Sequence, residues 1–268
     1  MKRASAILVL VTLVAVVAAR VAAEPQNLAG GVFIAHYVPE LGYTTEPPPG
    51  GWCEAYAPFA IQSCEEQNVR IDVTGDSLAC SWYVLSAWWE PKEWCGTEFG
   101  LGGFDPALFT FLEWHPCYPP TGGLEIGNFV PEPYHGTAFV TTGDPWEGDI
   151  VPVFCLGGYA HAGSGSIPLA VDPATGFGGW ANCASPPKSF RADCFGALGI
   201  NAEGTVCIPA EPSAACCTGC VCNLTTAVEC DSLGGVFHPT WPSCTPDPCV
   251  IPSPVESGTW GRIKATYR

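Results

Sequence analysis

Basic side chains are scarce in this chain: 10 Lys and Arg stand against 26 Asp and Glu in 268 residues, a formal charge of −16. Nucleic-acid binding needs clustered cations that release counterions from phosphates, so that partner is excluded on charge. A strongly anionic membrane surface would repel the chain for the same reason. Long apolar runs are missing too. After residue 23, no stretch approaches 18 apolar residues free of Gly, Pro and charge, so no transmembrane span is expected in the exported protein. Motifs of common catalysts are absent as well, with no H-E-x-x-H, G-x-S-x-G, P-loop or dinucleotide fingerprint. The five histidines, His36, His115, His135, His161 and His238, are never within four residues of one another. A metal site would have to be assembled wholly by the fold, and each histidine reads as an ordinary surface or packed residue. No catalytic residue, metal ligand or cofactor is assigned.

What is present begins with an export signal. Met1-Lys2-Arg3 is basic, Ala4 to Ala19 is an apolar run, and Val21-Ala22-Ala23 offers small residues to a signal peptidase. Residues 1–23 are therefore read as a signal peptide cleaved after Ala23. An uncleaved anchor is the competing reading, and Arg20 interrupts it. Cleavage also removes Lys2, Arg3 and Arg20, so 10 − 3 = 7 basic side chains face 26 acidic ones, a formal charge of −19. That acidity is read as keeping a Trp-rich secreted protein soluble.

Sixteen cysteines behind such a signal imply an oxidised, disulfide-stapled, extracellular architecture. They fall into two groups. Cys53, Cys64, Cys80, Cys95, Cys117, Cys155, Cys183, Cys194 and Cys207 are widely spaced. Cys216, Cys217, Cys220, Cys222, Cys230, Cys244 and Cys249 crowd together behind the turn-rich Pro209-Ala210-Glu211-Pro212. The chain is accordingly divided into a domain over 24–209, a Cys-rich module over 213–249, and a Pro spacer with a C-terminal tail over 250–268. Sequence does not settle connectivity. Nearest-neighbour pairing in the first group joins Cys53 to Cys64, Cys95 to Cys117, Cys155 to Cys183 and Cys194 to Cys207. Cys80 is left over, to find a partner in the Cys-rich module or to stay a buried thiol.

The domain over 24–209 has little helical pattern and much that alternates between strand and turn. Val69 to Thr74 alternates apolar with polar residues, the signature of a half-buried strand. Ala79 to Trp89 is a longer apolar and aromatic run that reads as a central strand. Further strands are expected over Leu108 to Trp114, Thr137 to Thr142, Ile150 to Leu156, Ile167 to Val171 and near Trp180. Gly and Pro clusters such as Pro119-Pro120-Thr121-Gly122-Gly123 and Asp172-Pro173-Ala174-Thr175-Gly176 separate them. The expected fold is mainly β, a disulfide-stapled β-sandwich followed by a small Cys-rich module with one short helix.

That module has the clearest local grammar. Thr226-Ala227-Val228-Glu229 forms a capping box, which predicts a helix to about Leu233. Gly234-Gly235 ends it, and Val236-Phe237-His238 follows extended. About 35 residues cannot bury enough apolar surface alone, so Cys216, Cys217, Cys222, Cys230, Cys244 and Cys249 are expected to form three bridges. The order Cys216-Cys217, Cys222-Asn223-Leu224-Thr225, Glu229-Cys230, Gly234-Gly235-Val236-Phe237, Ser243-Cys244 and Asp247-Pro248-Cys249 resembles a small module of secreted bacterial proteins. Cys220 departs from that pattern, which makes it the candidate partner for Cys80.

The larger domain resembles uncharacterised secreted β-domains of environmental bacteria. The resemblance rests on Trp82-Tyr83-Val84-Leu85, Glu98-Phe99-Gly100, Phe104-Asp105-Pro106, Leu124-Glu125-Ile126 and Asp172 to Gly176, in this order. Proteins of that kind end in a Trp-Gly-x-Ile-Lys-x-x-Tyr-Arg tail, matched here by Trp260, Gly261, Ile263, Lys264, Tyr267 and Arg268. The resemblance implies export and no assigned activity. The tail places Trp260, Ile263 and Tyr267 at helical spacing beside three basic charges. It is read either as an address for an export or surface-attachment machine, or as a frayed or docked end.

Weaker site candidates complete the reading. Asp144, Glu147 and Asp149 lie in a turn able to offer oxygen ligands to calcium but lack EF-hand spacing, and they read as solvated acids. Glu98 and Asp105 are candidates for the paired carboxylates of a glycosidase. Trp88, Trp89, Trp94 and Trp114 are candidates for a sugar-stacking platform, with core positions the favoured reading. Cys217, Cys220 and Cys222 have zinc-like spacing that export turns into a disulfide pattern. The expected function is that of a structural or adhesive protein, secreted or on the cell surface, without catalytic activity. Its expected partners are the attachment machinery, glycans or other surface proteins. A carbohydrate-binding module is the alternative, and an unrecognised extracellular hydrolase the third reading.

Overall fold

The computed structural model describes residues 27–127, 129–219, 221–245 and 248–249. The segment expected to be a signal peptide, Cys220 and the tail lie outside the described residues. The chain divides into two compact units between Ala210 and Glu211, within the turn-rich stretch. No helix among the described residues is long and apolar enough to cross a membrane.

The larger unit is built from strands β1 (Val32–Tyr37), β2 (Arg70–Ile71), β3 (Ser77–Trp94), β4 (Gly96–Leu101), β5 (Phe109–Pro116), β6 (Gly123–Ile126), β7 (Gly136–Thr141), β8 (Trp146–His161), β9 (Gly165–Ala170), β10 (Gly179–Ala181), β11 (Ser189–Arg191), β12 (Cys194–Phe195) and β13 (Ala197–Ile200). Five of them form a sheet in the order β12-β1-β3-β8-β5. The other eight form a second sheet: β11-β10-β4-β9-β13-β2, with β7 and then β6 branching from β4.

Side-chain alternation on the five-stranded sheet explains the layering. Phe33 and Ala35 on β1, Trp82 and Val84 on β3, and Phe154 and Leu156 on β8 share one face. That face packs on Phe99, Leu101, Phe139, Ile167, Leu169 and Leu198 of the second sheet, giving a sandwich core. The intervening residues Val32, Ile34, Tyr83, Leu85, Ala87 and Cys155 point the other way into a second core. Its cover is a short helix α1 (Trp52–Tyr56) with the turns on either side, through Trp52, Tyr56 and Cys64. Strand β3 is thus buried on both faces, which is why its sequence is a continuous apolar run instead of an alternating one. The predicted central strand is central.

Two expectations for this unit need correction. The strand foreseen over Val69 to Thr74 is reduced to Arg70–Ile71, paired in parallel with β13. The ladder stops because the side chain of Asn201 accepts the Val73 N–H at 2.7 Å, and Arg70 turns to Asp72 and Glu203. Helix α1 was not expected. It is a single turn and follows two glycines in the left-handed region, so it leaves no periodic trace.

The disulfides correct the nearest-neighbour pairing. Cys53 is bonded to Cys117 and Cys95 to Cys183, whereas Cys194–Cys207 is as expected. The sheet decides the partners: β4 pairs with β10 in a register that sets Gly96 opposite Ala181, bringing the flanking Cys95 and Cys183 together across 88 residues of chain. Cys64, Cys80 and Cys155 are buried free thiols. Cys80 therefore takes the second of its two foreseen outcomes. Burial pushes the thiols of Cys80 and Cys155 up to about 12, so neither ionises at physiological pH.

The smaller unit is a three-stranded sheet in the order β15-β14-β16, formed by β14 (Ala214–Thr218), β15 (Val221–Thr225) and β16 (Val236–His238). Helix α2 (Ala227–Ser232) begins with the foreseen capping box: the Glu229 N–H donates to the Thr226 hydroxyl, and the Thr226 N–H to the Glu229 carboxylate, each at 3.2 Å. Gly234 ends the helix at φ 65°. Gly235 is required for a different reason, since a Cβ there would come within 2.5 Å of the Cys216 sulfur. The six foreseen cysteines form Cys216–Cys230, Cys217–Cys249 and Cys222–Cys244.

Candidate functional site

The residues singled out for chemistry do not converge on a catalytic centre. Asp105 caps a turn by accepting the Ala107 N–H at 2.9 Å. Glu98 lies on the outer face of β4 and accepts the Thr175 hydroxyl. Of the turn acids proposed for calcium, Glu147 and Asp149 line separate clefts. No group of three His, Cys, Asp or Glu side chains able to hold a metal forms among the described residues. Cys217 and Cys222 are in disulfides, which removes the zinc spacing. His36 is buried, and its Nδ1 accepts the Asn68 N–H at 3.0 Å. Desolvation holds it down to about 4, so it is neutral at physiological pH.

Three of the sequence segments do meet, on the outer face of the eight-stranded sheet. Thr97, Phe99 and Leu101 of β4 turn inward, so Gly96, Glu98 and Gly100 turn outward. The ladder sets Glu98 beside Ala138 and Gly179, and Gly96 beside Val140 and Ala181. Leu124 and Ile126 of β6 stand next in the same rows, opposite Val140 and Ala138. Both are more than half exposed, at 58% and 57%. The result is a floor of small residues with an apolar rim. At one end the Asp172 turn lies directly on Gly100 and Gly136. A Cβ at Gly100 would approach the Val171 carbonyl to 2.8 Å, and one at Gly136 would run into Asp172. Thr175 in that turn reaches Glu98, and Arg191 stands 5.4 Å over the Phe177 ring.

Strand β6 forms the border of this face. It pairs with β7 and with no other strand among the described residues, so one row of its backbone groups is open. Glu125 points inward, where its carboxylate accepts the Thr137 hydroxyl at 3.1 Å. Strand β6 carries no Lys, no Pro and no bulge, and its edge is limited instead by its length of four residues and by the inward carboxylate of Glu125.

A second candidate lies where β3 leaves its ladder with β8. Ala87 pairs with Ile150 and Lys92 with Gly148, so residues 88–91 stand opposite Asp149 alone. This wide bulge includes Pro91, which has no N–H to give a ladder. Trp88 turns in and donates its indole N–H to the Leu28 carbonyl at 3.1 Å. Trp89 turns out and is 55% exposed. Beside it a cleft of about 240 Å³ runs between the bulge and the turn at Cys64–Glu66, lined by Cys64, Glu65, Trp89, Asp149, Ile150 and Ile208 among others.

The sugar-platform residues are separated by this geometry. Trp94 is fully buried, Trp88 packs tilted against Trp94 and Trp180 in the core, and Trp114 donates to the Phe129 carbonyl at 3.0 Å. Trp89 alone of the four is exposed. Sequence reading missed this cleft, although Pro91 at the end of an aromatic run was a signal for a bulge. No protein-family model matches the chain, and no curated protein or solved structure was found to be similar to it.

Proposed function

We propose that the chain is a structural protein, secreted or held at the cell surface, that works by association with copies of itself and not by catalysis. The observation that carries this reading is the open edge of β6 with Leu124 and Ile126 exposed along it. Two such edges set antiparallel satisfy each other's backbone groups and align four apolar side chains on one extended face. Exposed edges are where one chain adds strands to another.

Six disulfides among the described residues support an oxidising compartment, and the signal-like residues 1–23 support export. The likeness of the Cys-rich module and the tail to secreted bacterial proteins agrees with it. The tail over 250–268 is the proposed point of surface attachment. Of the groups with strongly shifted ionisation, His36, Tyr56, Tyr83, Cys80 and Cys155 lie within the packed layers, and the two that border clefts, Cys64 and Tyr118, are pushed up by burial and stay neutral, which favours association over catalysis. Sedimentation velocity tests the reading. The wild-type chain should associate as concentration rises, and Leu124→Lys with Ile126→Lys should keep it monomeric. A wild-type chain that stays monomeric throughout would overturn it.

A further inference from the structure

The cleft at the β3 bulge combines an outward indole, an apolar wall from Ile150 and Ile208, and two carboxylates, Glu65 and Asp149. No Lys, Arg or His lines it, and neither carboxylate has a cationic partner among the described residues. Asp149 accepts the N–H of the adjacent Ile150 at 3.0 Å. The hydrogen bond from Ser63 holds the Glu65 carboxyl below its usual range, so Glu65 is charged at neutral pH. The nearest basic group on the bulge, Lys92, is engaged by Glu90.

The field of this arrangement is registered by a neighbour. Cys64 is pushed up to about 11, first by burial and then by the charges of Glu65 and Asp149. The thiol is therefore no nucleophile, and the cleft carries a negative potential that no cation lining it among the described residues neutralises. A ring face that is half exposed next to uncompensated negative charge attracts a desolvated organic cation twice over, through its quadrupole and through Coulomb attraction.

We propose that the cleft of Trp89, Glu65 and Asp149 binds an alkylammonium group. A neutral sugar ring would use the Trp89 face but would gain nothing from the two charges, which is why the cation is favoured. The volume suits a single ammonium head with its methyl or methylene substituents. The site is separate from the β6 edge and does not depend on self-association.

The test is a titration of the full oxidised chain with choline chloride, followed by the indole N–H resonance of Trp89 in a nitrogen-proton correlation spectrum and assigned with Trp89→Phe. Sodium chloride at equal ionic strength and a methyl glycoside serve as the other arms. Choline should shift that resonance saturably, and sodium should not. In the double variant Glu65→Gln, Asp149→Asn the apparent affinity should fall about tenfold. Binding in Trp89→Ala, measured by calorimetry, should fall by a similar factor with the remaining indole resonances unchanged. No choline-specific shift, a shift unaltered in the double variant, or saturation by the glycoside instead of choline would overturn the proposal.

Discussion

In the larger unit Trp52, Trp94 and Trp180 are buried in aromatic contact and Trp82 is fully buried in the sandwich core, whereas in the smaller one Val221, Leu224, Val228 and Val236 are exposed and the interior is largely cysteine. The first unit can close two cores around one sheet, so its disulfides reinforce packing that already exists, and three thiols remain reduced inside it. The second is too short to close any core, and its three bridges replace one. The same residue type is thus filler in one unit and framework in the other. What decides between these roles is how much apolar surface surrounds the sulfur.

The sharpest way to break the contrast is to damage packing in the large unit. Trp180 is fully buried, stacks on Phe33 at 4.4 Å and donates its indole N–H to Ser86 at 2.7 Å. Trp180→Ala should cost about 3–5 kcal/mol in chemical denaturation of that unit. In the small unit the corresponding lesion is the Cys222–Cys244 bridge, which spans 22 residues. Replacing both by Ser should cost about 3 kcal/mol, read as faster amide exchange confined to that unit.

Acid probes the large unit from within. The folded state holds His36 down to about 4 against 6.5 when exposed, so the unfolded chain binds the extra proton in between. Stability is full above pH 6.5 and declines as pH falls to about 4, by roughly 3 kcal/mol at most. His36→Gln should flatten that part of the pH profile of thermal unfolding. The smallest effect belongs to the helix cap: Thr226→Ala should cost about 1 kcal/mol in the small unit, with Thr226→Ser restoring most of it.

Legibility in the sequence followed the same divide. In the small unit the signals are local, and the capping box, the Gly pair and the use of six cysteines are readable because each acts within a few residues. In the large unit β3, β7, β8 and β9 show as apolar runs, but β1, β4 and β13 hide among glycines. Cys95 finds Cys183 through strand pairing, which no spacing encodes. The candidate sites were legible only in pieces. Leu124-Glu125-Ile126 and Asp172 to Gly176 were visible as segments, but their meeting over Glu98 depends on a sheet that branches at β4. Trp89 reads like its buried neighbours until the bulge turns it outward.

Hydrogen exchange of the full chain, measured oxidised and then after reduction of all bridges, tests the difference between the units most directly. Reduction should abolish protection across β14, β15, α2 and β16 while the amides of β3 and β8 stay protected. Equal loss in both units, or retained protection in the small one, would contradict the assignment of packing to one and cross-linking to the other.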